Sequence, residues 1–331
     1  MRTYRNLFIL LVLIFSPSSA FAQSVAIPAA VGCASPALAP VPNVNQLALL
    51  RWYGANTVSN FPTGGHPNGI AFDGANMWVV GGPTNSVSKF RANDGALVGT
   101  FPVGIVPGYA AFDGANMWVT NLLDHTVSKL RASDGANLGN FPTGTFPWVI
   151  AFDGSSIWIA NILDNTVSKL RPSDGATLGV FPAGKNPIGL AFDGQNIWVA
   201  NQGGANTVTK LRASDGALLG VFPVGINPVG VTFDGSFLWV ANQDSGNVMR
   251  LRPSDGQVMG TFPVGSRPQF VAFDGTHVWI TNQGSNSVTK LRACDGEALG
   301  TFPTGGLPVG IAFDGANIWT ANNGDGSASK L

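Results

Sequence analysis

The sequence has few charged residues, few cysteines and almost no glutamate. Charged residues are 11% of the 331 residues, against about 25% in an ordinary domain. Basic and acidic residues number 18 each, so no basic excess suggests nucleic-acid binding. Glu297 is the one glutamate, and a long helical protein would use glutamate and alanine more and glycine and proline less. These shortages exclude an all-α fold, and a hydrophobic content of 45% excludes a disordered chain.

Several chemical signatures are also missing. Two cysteines, Cys33 and Cys294, are too few for a disulfide-dense small domain or a four-cysteine zinc site. The sequence contains no His-Glu-x-x-His, no Gly-x-Ser-x-Gly and no phosphate-binding loop. We therefore expect no cofactor, no bound metal and no assigned catalytic residue.

The N-terminus has the pattern of a cleavable export signal. Arg2 and Arg5 precede an apolar run from Leu7 to Phe15, and Ala20-Phe21-Ala22 fits a small-x-small cleavage site. We expect cleavage after Ala22, a secreted or periplasmic protein, and a Pro/Ala-rich leader over residues 23–45. Because no later run reaches about 18 apolar residues, we expect no membrane span in the mature protein.

Glycine and aromatic residues are abundant, and they recur with a fixed period. Tryptophans are 40 residues apart, with one interval of 41, and Phe-Pro and Phe-Asp-Gly follow the same rhythm. The repeat tryptophans are Trp78, Trp118, Trp158, Trp198, Trp239, Trp279 and Trp319. A period near 40 with several short strands is typical of propeller blades. We therefore assign residues 46–331 to seven repeats.

One repeat contains four predicted strands. In the fourth copy these are Ile188–Phe192, Ile197–Ala200, Thr207–Arg212 and Ala217–Phe222, separated by Asp-Gly turns. The last copy stops before its fourth strand, and residues 58–61 near the N-terminus can supply it. The prediction is an all-β, monomeric seven-bladed β-propeller of four-stranded antiparallel blades, with the N-terminal strand completing the C-terminal blade. The Trp and two Phe of each copy should pack between neighbouring blades.

The repeat resembles secreted bacterial β-propellers of the YVTN/NHL-like type and, more distantly, the streptogramin lyase family. The matching residues are Pro187-Ile188-Gly189, Phe192-Asp193-Gly194, Ile197 to Asn201, Thr207-Val208 and their copies. These are framework positions, so the resemblance implies the fold over nearly the whole mature chain. Lyases of this type use a histidine and metal-holding glutamates around the channel. Glu297 lies in a framework turn, so that activity is not carried over.

Charged residues separate the repeated framework from the variable loops. Thirteen of the 17 aspartates lie in repeated turns, where we expect them to cap the turn. The loops after the second strand and the crossovers between blades share the opposite face. The charges outside the repeat all fall there, and they are Asp124, Asp164, Lys185, Asp244, Arg267 and Asp325.

The same variable face carries unusual aromatic residues and histidines. The aromatic residues are Tyr109, Phe146, Trp148 and Phe270, and the histidines are His66 and His125. Neutral drift of loops would explain variation, but it would not favour four aromatics near the centre of a ring. Binding residues are commonly carried by loops on a rigid scaffold.

Two functions from different classes remain open. The first is an exported, non-catalytic binding propeller that recognises a protein, peptide or glycan on its variable face. The alternative is a lyase or hydrolase of the streptogramin-lyase-like type, using His66 or His125 with Asp124. A disulfide between Cys33 and Cys294 is also predicted, with two unpaired thiols as its alternative.

Overall fold

The computed structural model describes residues 58–63, 65–82 and 84–331. In that range the chain is all-β, and seven four-stranded antiparallel sheets form the blades of a propeller. The helical content of these residues is a single 3-10 turn, Gln283–Ser285. None of the helices in this part of the chain is long and apolar enough to cross a membrane. The predicted signal peptide, the leader and Cys33 lie outside the described residues.

Each blade runs outward from the central channel, and consecutive strands are hydrogen-bonded neighbours. Blade 1 is β2 (Pro67–Phe72), β3 (Asn76–Gly81), β4 (Ser86–Arg91) and β5 (Leu97–Pro102). Blade 2 is β6 (Pro107–Phe112), β7 (Asn116–Asn121), β8 (Thr126–Arg131) and β9 (Asn137–Pro142). Blade 3 is β10 (Pro147–Phe152), β11 (Ile157–Asn161), β12 (Thr166–Leu170) and β13 (Thr177–Pro182).

The remaining blades repeat this plan. Blade 4 is β14 (Pro187–Phe192), β15 (Asn196–Asn201), β16 (Thr207–Arg212) and β17 (Leu218–Pro223). Blade 5 is β18 (Pro228–Phe233), β19 (Leu238–Asn242), β20 (Asn247–Leu251) and β21 (Val258–Pro263). Blade 6 is β22 (Pro268–Phe273), β23 (His277–Asn282), β24 (Ser287–Arg292) and β25 (Ala298–Pro303). Blade 7 is β26 (Pro308–Phe313), β27 (Ile318–Asn322), β28 (Ser327–Lys330) and β1 (Ser59–Pro62).

Blade 7 confirms the predicted ring closure. The N-terminal strand β1 pairs antiparallel with the C-terminal strand β28, with Ser59 opposite Lys330 and Pro62 opposite Ser327. The innermost strands contact one another around the whole channel, including β2 with β26. The sheets therefore form a closed ring in which each blade has a neighbour on both sides.

The core lies between neighbouring blades, as the alternation of strand side chains requires. In β3, Trp78 and Val80 pack against Met117 and Val119 of blade 2. The alternate residues Met77 and Val79 face the other way and pack in the cluster that contains Trp319 of blade 7. Because six of the seven repeat tryptophans are fully buried, these junctions supply most of the apolar burial in the fold.

Each repeat tryptophan is also fixed by its own turn. Asp73 Oδ1 accepts hydrogen bonds from the backbone N–H groups of Ala75 and Asn76. Asp73 Oδ2 accepts the Trp78 indole N–H at 2.7 Å. The same 2.7 Å indole bond is made in the other six blades, to Asp113, Asp153, Asp193, Asp234, Asp274 and Asp314. The expected turn-capping role of these aspartates is confirmed.

The repeated Asp-Gly turn between the third and fourth strands of a blade needs glycine for two reasons. Gly135 has φ +76, a conformation that costs little only for glycine, and a Cβ there would lie 2.1 Å from Phe101 of blade 1. The Phe of one outer strand therefore packs directly onto the turn of the next blade. This close approach and the positive φ explain why every copy of the turn has glycine at this position.

Cations of the third strand link six of the blades to the next one. Lys89 donates to the carbonyl oxygen of Ala132 in blade 2 at 2.6 Å, and its ammonium lies 5.0 Å from the Trp78 ring. Equivalent bonds to the following blade are made by Lys129, Lys169, Lys210, Arg250 and Lys330. The hydrogen bond to the carbonyl oxygen and the contact with the aromatic face both compensate the ammonium group for its lost hydration.

Cys294 lies in a framework turn of blade 6 and does not carry a free thiol. Its proposed partner Cys33 is outside the described residues, so the Cys33–Cys294 pairing stays a prediction.

Candidate functional site

The loop face consists of two sets of loops: the crossovers between blades and the loops between second and third strands. The two sets are joined by hydrogen bonds within each blade. Gly104 of a crossover donates its N–H to Asn121 Oδ1 at 2.9 Å, and Asn121 Nδ2 donates to Thr126 and Ser128. Similar Gly-to-Asn bonds are made by Asn161, Asn201 and Asn282. In blades 2, 3, 4 and 6 this asparagine therefore joins the crossover to the loop after the second strand.

Three of the variable-loop aspartates belong to this loop framework. Asp124 accepts the backbone N–H of Ile105 at 2.7 Å, and Asp164 accepts that of Thr145 at 2.6 Å. Asp325 accepts the N–H of Gly306 at 2.6 Å. The sequence analysis placed these carboxylates outside the repeated framework, and the structure shows that each of them holds a crossover.

The signal for this role was present in the repeat itself. In blades 5 and 6 the same backbone group is bound by serine: Ile226 donates to Ser245 Oγ at 2.8 Å and Ser266 to Ser285 Oγ at 3.2 Å. Aspartate and serine share an acceptor oxygen but not a charge. Their exchange at one position therefore indicates a loop-holding role.

The other predicted charges are less constrained. Asp244 accepts a hydrogen bond from the side chain of Asn227, which lies in the crossover into the same blade. Lys185 and Arg267 are exposed in crossovers of blades 4 and 6. These three side chains are spread over three blades and do not converge on one point of the loop face.

Both loop-face histidines bind backbone groups. His66 Nδ1 lies 2.6 Å from the carbonyl oxygen of Asn323, so this nitrogen donates. His125 Nδ1 accepts the N–H of Phe146 at 3.2 Å, at the position where Asn85 accepts the N–H of Val106. The described residues contain no group of three or more His, Cys, Asp or Glu side chains that could hold a metal. Nothing in this geometry assembles His66, His125 and Asp124 into a reactive group.

The four unusual aromatic residues form one group, the axial aromatic cluster, defined as Tyr109, Phe146, Trp148 and Phe270. Tyr109 of blade 2 and Phe270 of blade 6 come from non-adjacent blades, yet their ring centroids are 4.9 Å apart across the channel. Tyr109 also lies 5.6 Å from Trp148, and Trp148 stacks on Phe146 at 6.2 Å with an interplanar angle of 6°. The prediction of aromatics near the ring centre therefore holds, and the cluster fills the channel.

Two threonines support this cluster, and the sequence interpretation missed them. Thr120 Oγ1 accepts the N–H of Tyr109 at 3.0 Å and donates to the carbonyl oxygen of Trp148 at 2.8 Å. Thr281 makes the matching pair with Phe270, at 3.0 Å, and Val309, at 2.8 Å. Both threonines are buried. They join the inner strand that carries the aromatic to the inner strand of the next blade.

An aromatic residue in the inner strand and a threonine in the second strand occur in the same copies of the repeat. Most copies have glycine at the position of Tyr109 and Phe270, where the inner strands approach closely: a Cβ on Gly189 would lie 2.0 Å from Val229 O. The copies with an aromatic residue there are the ones with threonine in the second strand, where the other copies have alanine or valine. This pairing within a single sequence is the signal that would have found Thr120 and Thr281.

Two polar atoms of the cluster have no partner. The Tyr109 hydroxyl and the Trp148 indole N–H are two of only four buried side-chain polar atoms without a hydrogen bond in the described part of the chain. Burial raises the pKa of Tyr109 well above its ordinary value, so the hydroxyl stays protonated and remains a donor.

Apolar side chains of blades 2 and 3 reach solvent on the loop face. We call them the apolar patch: Ile105, Leu123 and Leu163, which are exposed, and Phe146, which is partly exposed and also belongs to the axial aromatic cluster. Leu123 is 54% exposed and Leu163 is 62% exposed. They follow Leu122 and Ile162, at positions where blades 4 to 7 have glutamine or asparagine and then glycine or aspartate. This pair of apolar loop residues is therefore particular to blades 2 and 3, and single apolar side chains, Ile226 and Leu307, are exposed in the crossovers into blades 5 and 7.

Amide side chains occupy the other side of the loop face. We call this set the amide arc: Asn68, Gln202, Gln243, Gln269, Gln283 and Asn323. Its members pair with one another, since Gln269 donates to Gln283 at 3.2 Å and Asn323 to Asn68 at 3.0 Å. The loop face is thus apolar on one side of the channel and rich in neutral hydrogen-bonding groups on the other.

The opposite face offers a shallower feature. A groove of about 710 Å³ lies between blades 3 and 4 and includes Asp153, Lys169 and Lys210 among its lining residues. Both ammonium groups already donate to backbone carbonyl oxygens, of Ala213 and Pro253 respectively. This groove is a product of the repeated blade junction.

Comparison with known proteins relates this chain to solved propellers. Streptogramin B lyase superposes with a TM-score of 0.71 at 18% sequence identity, covering 83% of this chain and 96% of that one. Hydrazine synthase of Kuenenia stuttgartiensis gives a TM-score of 0.71 at 17% identity, covering 84% of this chain and 97% of that one. The likeness is one of fold. No family model and no curated protein matches the sequence.

Proposed function

We propose that this protein is an exported binding propeller that recognises an apolar peptide segment of a partner protein on the loop face. The observation that carries the proposal is the apolar patch. Leu123 and Leu163 are each more than half exposed in the loops of blades 2 and 3. Their backbone N–H groups bond to Ile105 and to Thr145, the chain neighbour of Phe146. Contiguous exposed apolar surface on a soluble scaffold is typical of an interaction site.

The chemistry of the face favours a peptide over a glycan or a small charged ligand. Leucine and isoleucine side chains gain by burying hydrocarbon and offer no hydrogen bond to a sugar hydroxyl. The amide arc can both donate to and accept from a peptide backbone, and it carries no charge. An extended peptide across the channel mouth would meet both surfaces.

The size of the patch is sufficient for recognition. Burying an exposed leucine side chain contributes about 1.5–3 kcal/mol, and a few central residues usually carry most of the binding energy. Leu123, Leu163 and Phe146 around Trp148 form such a centre. We assign no catalytic role to His66, His125 or Asp124, because their side chains hold the loops.

The test is binding to an immobilised library of short peptides of varied sequence. Leu123→Asp and Leu163→Asp should lose the peptides that the unaltered protein retains, because a charge at the patch cannot be desolvated against an apolar segment. Leu97→Asp is the matched control, since Leu97 is 58% exposed on the outer edge of blade 1. Equal retention by the patch variants and the control would contradict the proposal.

Export is the second part of the proposal. A signal ending at Ala22 and an oxidised Cys294 both suit an oxidising compartment. N-terminal sequencing of the protein recovered from its native cells should begin at Gln23. A chain recovered only from the cytoplasm with its first 22 residues intact would contradict export.

A further inference from the structure

The axial aromatic cluster contains two hydrogen-bond donors that the fold leaves unused. Tyr109 is 6% exposed, and neither its hydroxyl nor the Trp148 indole N–H has a partner. The two rings are neighbours, with centroids 5.6 Å apart. A buried donor without an acceptor is costly, and native proteins keep few of them.

The contrast with the framework makes this pair unusual. All seven repeat tryptophans donate their indole N–H to a turn aspartate at 2.7 Å. The neighbouring backbone groups are also satisfied, because Thr120 binds both the N–H of Tyr109 and the carbonyl oxygen of Trp148. The inner strands are thus held in place while the two side-chain donors stay available.

We propose that Tyr109 and Trp148 form an acceptor-binding site at the mouth of the channel. Its ligand is an uncharged group with an acceptor oxygen on an apolar body, such as the backbone carbonyl beside an apolar side chain. The proposal rests on the loop face being the binding face, and it names the group that enters its centre. Phe146, Trp148 and Phe270 are partly exposed on this face, and the two donor atoms beneath them are buried, so the group reaches the donors by entering between these rings.

The chemistry of the cluster sets the class of ligand. Its four rings are neutral and apolar, so a charged ligand would lose its hydration without a counter-charge. The hydroxyl of Tyr109 and the indole N–H both act as donors, so a ligand that offers only donors gains nothing from them. A carbonyl oxygen has two lone pairs and can accept from both.

The first experiment uses a matched pair of small probes. Acetophenone carries a ketone oxygen, and cumene has a methyl group in place of that oxygen. In ¹⁵N-labelled protein the Trp148 indole N–H signal is the one missing from Trp148→Phe. Acetophenone should move this signal downfield, as a new hydrogen bond does, and cumene should not. No downfield shift with acetophenone, or the same shift with both probes, would overturn the proposal.

The second experiment removes the hydroxyl alone. In Tyr109→Phe the melting temperature of the free protein should rise, because an unpaired buried hydroxyl is lost while the ring packing is kept. The same variant should bind acetophenone about tenfold more weakly, which corresponds to one lost hydrogen bond. A lower melting temperature would mean that the hydroxyl is already paired in the free protein, and unchanged binding would mean that it does not contact the probe. Either result overturns the proposal.

A third set of variants separates this proposal from the peptide proposal. Leu123→Asp and Leu163→Asp lie outside the Tyr109–Trp148 pair and should keep the acetophenone shift. Loss of peptide retention with the shift intact supports both proposals. A shift without any peptide retention by the unaltered protein removes the peptide proposal alone.

Discussion

Lys330 donates a hydrogen bond to the backbone carbonyl oxygen of Ala92 at 2.7 Å, which joins the last described strand to the first complete blade. The same ammonium donates to Asn93 O at 2.9 Å and lies 5.4 Å from the Trp319 ring. The contact repeats the cation link found between the other blades. The closing junction of the ring therefore uses the same interactions as an interior junction.

Removing this link should loosen the ring. We expect Lys330→Ala to destabilise the protein by about 1.5–3 kcal/mol, because two hydrogen bonds from a charged donor are lost. Lys330→Arg should retain most of the stability, since Arg250 makes the equivalent bonds in blade 5. Chemical denaturation of the three proteins measures the difference. An alanine variant as stable as the parent would show that the closing strand is held without the link.

Acid should unfold the protein through its turn aspartates. Burial raises the pKa of Asp73, but hydrogen bonds from Trp78, Ala75 and Asn76 outweigh it and the net pKa is lowered. The Arg252 hydrogen bond lowers the pKa of Asp255 to about 2. The pKa is also lowered for Asp94, Asp134, Asp174, Asp215, Asp274, Asp295 and Asp314.

A lowered folded-state pKa gives stability that is fully present above the unfolded value and is lost as the pH falls through the folded value. For these groups the unfolded value is near 3.8, so the melting temperature should be flat down to about pH 4.5 and fall between about pH 4 and pH 2. Thermal melts across this range check it. A fall that begins well above pH 4.5 would contradict the assignment to the turn aspartates.

The crossovers contain strained residues whose exchange should change stability in opposite directions. Val106 has φ 52, a conformation that is strongly unfavourable for a β-branched residue, and Asn186 has φ 50 at the equivalent position of blade 4. We expect Val106→Asn to stabilise the protein by about 1 kcal/mol and Asn186→Val to destabilise it by a similar amount. Denaturation midpoints measure both. Shifts of the same sign would contradict the strain argument.

Thr120 and Thr281 should contribute to the stability of the folded protein chiefly through their hydroxyl groups. Thr120→Val and Thr281→Val each leave a buried N–H and a buried carbonyl oxygen unpaired, which costs about 1–3 kcal/mol. Thr120→Ser and Thr281→Ser keep the hydroxyl and should lose far less. The melting temperatures of the four variants test this. Equal losses for valine and serine would assign the effect to packing alone.

The repeat was sufficient to predict the strands of each blade and the closure of the ring. Phe-Asp-Gly and Trp set the second strand of every blade, so predicted Ile197–Ala200 became Asn196–Asn201 in the structure. The missing fourth strand of the last copy pointed to residues 58–61, and in the structure Ser59–Pro62 pairs with Ser327–Lys330. Local turn chemistry repeated seven times leaves little freedom for another arrangement.

The site was predicted less well, because its contacts cross the ring. Tyr109 and Phe270 meet across the channel, and no local pattern indicates that their blades bring them within 4.9 Å. Asp124 resembled a free charge until its bond to the Ile105 N–H was known. An aspartate that holds a loop and one that binds a ligand look the same in the sequence. The contacts in the folded structure are needed to distinguish them.

The seam of the ring lies between Lys330 and Ser59, which are opposite each other in blade 7. In the other six blades the corresponding strands are joined by an Asp-Gly turn, and in blade 7 the covalent chain is broken at this place. Joining Lys330 to Ser59 by such a turn, in a chain without residues 1–58, would give a cyclic backbone. That backbone could then be opened at any other Asp-Gly turn, and circular permutants should fold to the same ring.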